Sequence, residues 1–291
     1  MTDTSNWKHY YSGKVRDLYI PVGATGPATS ARMLIVASDR ISAFDRVLQP
    51  EIPGKGSILT SLSLWWFSEL SDIPNHLADE APPAEFSGNS MVVLPLKMFP
   101  VECIVRGYMA GSAWTEYQRE GTIGGTSLPK GLKEGEILPE PTFTPTTKAQ
   151  LGGKDQPLSF KEMERLVGPR PAAQIRALSY KIYRFAHQKV ESSGLILADT
   201  KLEFGLDPST NQITLADEVL TPDSSRYWDM ESYLTRDDRK PEGLDKQLVR
   251  DWLGKNWDRI GPAPDLPRNI VNTTKAKYLE IFERIVNRGA S

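Results

Sequence analysis

Leu195-Ile-Leu-Ala-Asp-Thr-Lys-Leu-Glu-Phe-Gly205, followed by Ile213-Thr-Leu-Ala-Asp-Glu218, decides how this chain is read. Both runs are rich in apolar residues, and the Asp207-Pro-Ser-Thr-Asn211 between them is built from turn formers, so the pair predicts an antiparallel β-hairpin centred on Thr210. Side chains alternate across a strand, which puts Asp199, Lys201 and Glu203 on one face and Ala198, Thr200, Leu202 and Phe204 on the other. The expected register sets Glu203 opposite Asp217. Two carboxylates brought together repel unless a cation lies between them, and hard oxygen ligands suit Mg²⁺ held jointly with a nucleotide's phosphates. The same pattern also fits a solvated hairpin face on which Lys201 neutralises its neighbours.

The residues before the hairpin read as helix. From Pro171, Ile175, Leu178, Ile182 and Phe185 form one apolar stripe, and Gly194 suits the left-handed position that closes a helix. Ser159-Phe-Lys-Glu162 has capping-box spacing and opens a shorter helix that stops at Gly168-Pro169. Two further helices are expected around Asp245 to Leu253 and Thr274 to Asn287. Toward the amino terminus, Gly13 to Ile20, Met33 to Ala37 and Met91 to Leu94 read as strands. A helix from Ile58 to Leu70, carrying Leu59, Leu62, Trp65 and Trp66, interrupts them after the breaker Pro53-Gly54. Residues 121–160 hold seven glycines and five prolines, so regular structure should be sparse there, and so long a loop either covers a substrate, which long loops favour, or is a surface excursion. The fold class is therefore α+β.

The 291 residues, 39% hydrophobic and 25% charged, suffice for one large or two modest globular domains. Thirty-five basic and 37 acidic side chains leave a net charge of −2, so no global basic field attracts nucleic acid or an anionic membrane. Any anionic ligand must be held locally. No apolar run follows a basic start, and no segment approaches the ~20 apolar residues of a membrane span, so a cytoplasmic protein is expected. Cys103, the single cysteine, sits in Val101-Glu-Cys-Ile-Val105 and reads as a buried, inert thiol in a strand.

Several segments have the chemistry to hold anions. Gly13-Lys-Val-Arg16 combines a flexible residue with two cations, which lets backbone N–H groups and Lys14 approach polyphosphate; a turn before an exposed amphipathic strand is the alternative. Pro53-Gly-Lys-Gly56 lacks the GxxxxGK[ST] spacing and reads as a tight turn, not a P-loop. Ser38-Asp-Arg-Ile-Ser-Ala-Phe-Asp45 leaves a strand end, so Ser42 and Asp45 either bind hydroxyls or an amine or serve local turn bonds. Arg106 precedes Gly111-Ser112 at an expected helix start, where anions are attracted; otherwise Ser112 is an N-cap and Arg106 a surface cation. Ser224-Ser225-Arg226, in a loop after the second hairpin strand, is a further anion cradle. A paired-acid metal site with several anion grips points to an ATP-using enzyme with an anionic co-substrate.

Gly13-Lys-Val-Arg-Asp17, Ser38 to Asp45, Val101 to Arg106 with Gly111-Ser112, Asp199 to Gly205 and Asp217 to Arg226 together resemble, in order and across most of the chain, the SAICAR synthetase (phosphoribosylaminoimidazole-succinocarboxamide synthase) family. The resemblance implies an ATP- and Mg²⁺-dependent ligase of purine biosynthesis that joins L-aspartate to the carboxylate of carboxyaminoimidazole ribotide. It implies an amino-terminal β-rich nucleotide-binding domain, 1–98, and a carboxy-terminal α+β domain, 99–291, distantly similar to kinase and ATP-grasp folds. By position, Gly13, Lys14, Val15 and Arg16 would line the ATP phosphates, with the adenine against Leu96, Lys97 and Met98. Glu203 and Asp217 would hold Mg²⁺, while Arg106, Ser112, Asp199, Lys201, Ser225 and Arg226 would surround the ribotide, with Ser42 and Asp45 nearby.

The implied chemistry is an acyl phosphate attacked by the aspartate amine, with Lys14 and Lys201 opposing the charge of the transferred group and Asp199 or Asp45 able to accept a proton. The 121–160 stretch and the helical tail after Asp245 resemble the family's longer form, and a monomer acting on small molecules is expected. A kinase-like phosphotransferase is the first rival, opposed by the lack of GxGxxG and HRD motifs. A nucleotide- or RNA-binding module is the second, opposed by the lack of a basic surface.

Overall fold

The computed structural model describes residues 6–148, 155–235 and 242–288, so residues 149–154 of the glycine- and proline-rich stretch lie outside it. Strands β1 (Trp7–Ser12), β2 (Arg16–Pro21) and β3 (Met33–Ala37) pair antiparallel in succession, and β4 (Ile41–Ala43) and β5 (Arg46–Leu48) make a small hairpin. Helix α1 (Lys55–Glu69) leads to β6 (Ser90–Val93), which completes a sheet in the order β1-β2-β3-β6.

The start of α1 is fixed from a distance. Gly54, at φ 83, turns the chain through the left-handed region, and the Asp39 carboxylate accepts hydrogen bonds from the N–H groups of Gly54 (2.8 Å) and Gly56 (2.9 Å). A Cβ on Gly56 would fall 2.3 Å from the Ala37 carbonyl oxygen, so glycine lets the helix sit on the end of β3. Leu62, Trp66 and Phe67 of the helix then share one core with Ile20, Ile35 and Met91 of the sheet.

After β7 (Lys97–Met98) and β8 (Val101–Tyr108) come α2 (Ser112–Glu120), the short pair β9 (Thr122–Ile123) and β10 (Thr126–Ser127), β11 (Ile137–Phe143) and β12 (Thr146–Thr147). Helices α3 (Phe160–Val167) and α4 (Pro169–Glu191) precede β13 (Leu195–Leu206), β14 (Ile213–Ala216), β15 (Ser225–Asp229), α5 (Met230–Thr235), α6 (Gln247–Asn256) and α7 (Arg268–Arg288). The larger sheet runs β11-β8-β13-β14, with β12 joined to β8 and with β7 and β15 joined to β13. The twelve-residue β13 is its spine, because it pairs with β15, β8, β14 and β7 along successive parts of its length.

Several expectations need correction. Regular structure between 121 and 160 is not sparse: β9 to β12 lie in it, and β11 lengthens the larger sheet although it contains two prolines, because it is an edge strand with a register shift. α4 begins at Pro169, two residues earlier than expected, since proline is accommodated in a first helical turn. Its buried stripe is Ala172, Ile175, Ser179, Ile182, Tyr183, Ala186 and Val190, and Phe185 is exposed. The tail helices cover 247–256 and 268–288, and the strand expected from Gly13 starts at Arg16, after a turn. Cys103 is buried, and burial pushes its thiol up, as an inert core residue requires.

Candidate active site

The hairpin is present, but its register is one residue off the expected one. Glu203 pairs with Ala216, and the ladder continues Phe204 to Leu215, Gly205 to Thr214 and Leu206 to Ile213. Asn211, at φ 57, bends the loop, which closes through Asp207 N–H to Gln212 O at 2.9 Å. Asp217 therefore falls just past β14, and there the backbone turns to φ 61. Strand pairing thus does not set Asp217 directly opposite Glu203, but one residue along from its partner. Both side chains reach the same cavity all the same.

That cavity, of 490 Å³, is lined by Gly13, Lys14, Val15, Arg16, Ser42, Asp45, Lys201, Glu203 and Asp217 among the residues named from sequence. A second, of 240 Å³, is lined by Arg106, Ser112, Asp199, Lys201, Ser225 and Arg226. Lys201, Asp223 and Arg250 line both. Alternation puts Asp199, Lys201 and Glu203 on one side of β13, and position along the strand divides the work: Glu203 lines the first cavity, Asp199 the second, and Lys201 both. Leu96, Lys97 and Met98 line neither cavity; Lys97 and Met98 form β7 and pair with Leu206 and Gly205, next to Glu203 along β13.

In the first cavity Asp45, Glu102, Glu203, Asp217 and Glu218 each meet a cation. Arg16 binds Asp217 at 2.7 Å and Glu218 at 2.9 Å, which holds its guanidinium firmly charged against burial. Lys201 lies 2.5 Å from Glu102 and 3.5 Å from Glu203, and Lys148 also contacts Glu203. Burial works to raise the Glu203 pKa, but Lys201, Lys148 and Arg16 outweigh it and bring it to about 2. Asp217 is pushed up to about 6 by burial and by Glu203 and Glu218, with Arg16 opposing. The two acids thus repel each other, as the paired-carboxylate reading requires. Lys14 pairs with Asp45, whose own backbone is left-handed at φ 61. Among the described residues, no three acid, histidine or cysteine side chains close into a metal cage.

The second cavity is organised around Asp199, which accepts hydrogen bonds from Arg106 (3.0 Å) and from Arg226. The strand register sets this up, since Asp199 faces Arg106 on β8 and Arg226 on β15. Arg106 also donates to Thr144 Oγ1 at 2.9 Å and Ser112 Oγ at 3.1 Å. Two guanidiniums on one carboxylate leave a surplus positive charge aimed at the cavity, which suits a phosphate or carboxylate guest. Arg226 can lie there because Gly111, at φ 59, has no side chain: a Cβ would come 2.2 Å from its Nη2. Gly111, not Ser112, is the N-cap of α2, and Ser225 and Arg226 begin β15 rather than sitting in a loop. Ser225 exchanges a 2.8 Å hydrogen bond with Thr200, so its hydroxyl is partly committed to the sheet.

Four contributors escaped the sequence reading. Arg40 donates to the carbonyls of Gly13 (3.3 Å) and Lys14 (3.2 Å) and pairs with Asp17 at 2.9 Å, so it holds the turn that presents Lys14. Glu102 anchors Lys201, and Lys148 meets Glu203. Asp223, at the junction of the cavities, accepts from Tyr278 at 2.7 Å and pairs with the buried Lys55 (2.8 Å) and Lys246 (3.0 Å). Glu102 shares a side of β8 with Arg106, so strand alternation could have flagged it. Arg40 and Asp223 lie in motif segments but outside any strand, and nothing local marks them or Lys148 as site residues.

Comparisons with known proteins find relatives over nearly the whole chain. A sequence family described as SAICAR synthetase matches residues 9–264. The phosphoribosylaminoimidazole-succinocarboxamide synthase of Leifsonia xyli subsp. xyli is 51% identical over 98% of this chain and 99% of its own length. Among solved structures, a SAICAR synthase from Saccharomyces cerevisiae complexed with SAICAR superposes with a TM-score of 0.84 at 40% identity, covering 98% of this chain and 96% of that one. A SAICAR synthetase in complex with ADP gives a TM-score of 0.71 at 26% identity, covering 96% and 98%.

Proposed function

We infer the work of the two cavities from one premise: this chain belongs to the SAICAR synthetase family. It is an ATP-dependent ligase of purine biosynthesis that joins L-aspartate to the carboxylate of carboxyaminoimidazole ribotide and yields SAICAR, ADP and phosphate. The first cavity takes the ATP phosphates, at Gly13, Lys14, Val15 and Arg16, and the adenine extends beyond it to Leu96, Lys97 and Met98 on and before β7. The second takes the ribotide, gripped by Arg106, Ser112, Asp199, Ser225 and Arg226, while Ser42 and Asp45 line the first cavity, Asp45 in contact with Lys14. The observation that carries this reading is the sorting of the named residues into two adjoining cavities that share Lys201.

Glu203 and Asp217 fit a hard divalent cation, because they are oxygen donors, one buried and one half-buried, whose mutual repulsion such a cation would relieve. Mg²⁺ held there would neutralise phosphate charge and leave its remaining coordination to phosphate oxygens and water.

A ribotide carboxylate oxygen attacks the γ-phosphorus, the bond to ADP breaks, and an acyl phosphate forms. The aspartate nitrogen then attacks the acyl carbon, phosphate leaves, and the nitrogen gives up its proton. Lys201, reached from both cavities, opposes the charge on the group in transfer, and Lys14 does so from the other side. Asp199 or Asp45 accepts the proton. A boundary at 98/99, and a monomer acting in the cytoplasm on small molecules alone, belong to the same proposal. The net charge of −2 supports it, and among the described residues no helix is long and apolar enough to cross a membrane. Glu203→Gln and Asp217→Asn should each raise the Mg²⁺ concentration for half-maximal turnover about tenfold or more, with unchanged circular dichroism. Wild-type Mg²⁺ dependence in both variants removes the metal assignment.

A further inference from the structure

Glu203 is met by two lysines of different character. Lys201 is tied to Glu102 at 2.5 Å as well and belongs to the central strand β13. Lys148 contacts the other carboxylate oxygen from outside that strand, and its side chain is 43% exposed while that of Glu203 is 7% exposed. The root of Lys148 is fixed, since its N–H donates to Pro100 O at 3.1 Å directly after β12. Only its long stem is free to move, and the ammonium lies in the 490 Å³ cavity together with Lys14 and Arg16. Arg16 is no equivalent: it is 20% exposed and bridges two acids at once.

Glu203 Oε1 already faces Lys201 at 3.5 Å, so a divalent cation seated on Oε2, or on both oxygens, meets Lys148, and two cations on one carboxylate oxygen repel each other. The released ammonium stays within its stem's reach of the same cavity, where polyphosphate is the anion with charge to receive it.

We propose that Lys148 is an exchangeable counter-ion: it neutralises Glu203 until a divalent cation arrives, then passes to a phosphate oxygen of the nucleotide. This rests on the metal reading of Glu203 given above. It makes Lys148 a nucleotide-binding residue whose two successive partners give its loss effects of opposite sign.

The test measures two affinities on the full chain, that for Mn²⁺ alone by electron paramagnetic resonance and that for MgADP by calorimetry. Lys148→Met should tighten Mn²⁺ binding to the nucleotide-free protein about tenfold and weaken MgADP about tenfold, whereas Lys148→Arg, which keeps the charge, should stay within about threefold of wild type in both. Mn²⁺ binding that is unchanged or weaker in Lys148→Met overturns the exchange, as does MgADP binding that is unchanged or tighter. Glu203→Gln separates the premises. If it loses Mn²⁺ binding while Lys148→Met binds as wild type, the exchange alone falls. If Glu203→Gln keeps wild-type Mn²⁺ affinity, the metal reading falls and takes the exchange with it.

Discussion

Asp223→Asn tests the charge accounting at the junction of the two cavities. The Asp223 carboxylate is 1% exposed and pairs with Lys55, itself 0% exposed, and with Lys246, 8% exposed. An asparagine oxygen can still accept the Tyr278 hydrogen bond, so the variant isolates the loss of one negative charge between two buried ammoniums. Removing one partner of a buried ion pair costs about 3–5 kcal/mol. An upper limit follows from the lysines' own escape route. A buried lysine can shed its proton, and at pH 7 that costs about 1.4 kcal/mol for each unit below the ordinary 10.4, or roughly 5 kcal/mol.

Lys246 is already partway there, pushed down to about 8 by burial and by Lys55. Equilibrium urea unfolding followed by tryptophan fluorescence should therefore show a loss of about 3–5 kcal/mol at pH 7, and a fall in Tm of about 6–10 °C. The deficit should shrink as pH rises from 7 to about 8, above which the wild type's own Lys246 sheds its proton and gains alike. Between those values the unfolded chain still binds the lysine proton that the folded variant has released, and stability rises with pH wherever the unfolded state holds more protons. Lys55→Met in the same background should recover part of the loss. A deficit below about 1 kcal/mol, or one that does not change with pH, refutes the reasoning.

His76 is buried, with Nε2 unpartnered, and burial is the main cause that lowers its pKa to about 4. The unfolded chain takes up this proton below about 6.5 and the folded one refuses it until about 4, so stability should be full above 6.5 and fall by about 3 kcal/mol on acidification between those values. His76→Phe should remove that slope from the pH dependence of urea unfolding; an unaltered slope assigns it elsewhere. At Gly107 a Cβ would come 1.9 Å from Tyr183 Oη, which donates to Leu197 O at 2.8 Å. Gly107→Ala should cost about 2–4 kcal/mol in thermal or urea unfolding, through overpacking plus a lost buried hydrogen bond. Adding Tyr183→Phe should restore more than half of it, and no restoration would place the strain on another neighbour.

Much of the site was legible in sequence because a strand's side-chain period is local. Asp199, Lys201 and Glu203 share a chemical side of β13 whatever it pairs with, and the Ser159 to Glu162 capping box forms as read. The start of α1 was legible less fully: Gly54 marks the turn, but the capping carboxylate comes from Asp39, on a different loop.

By itself, then, the sequence determined which side chains of β13 share one side, the capping box of α3, and the family that this order of motifs belongs to. All of these follow from neighbours in the chain. Only the tertiary structure decided the hairpin register, because a left-handed Asn211 shapes the loop and a shift of one residue moves Asp217 out of the ladder and into a turn. Only it decided which cation meets which acid. Lys148 reaches Glu203 across 55 positions, and Lys55 and Lys246 converge on Asp223 from opposite sides of it in the chain. Such meetings depend on how sheets and helices pack, and packing brings together residues whose local sequence carries no trace of the partner.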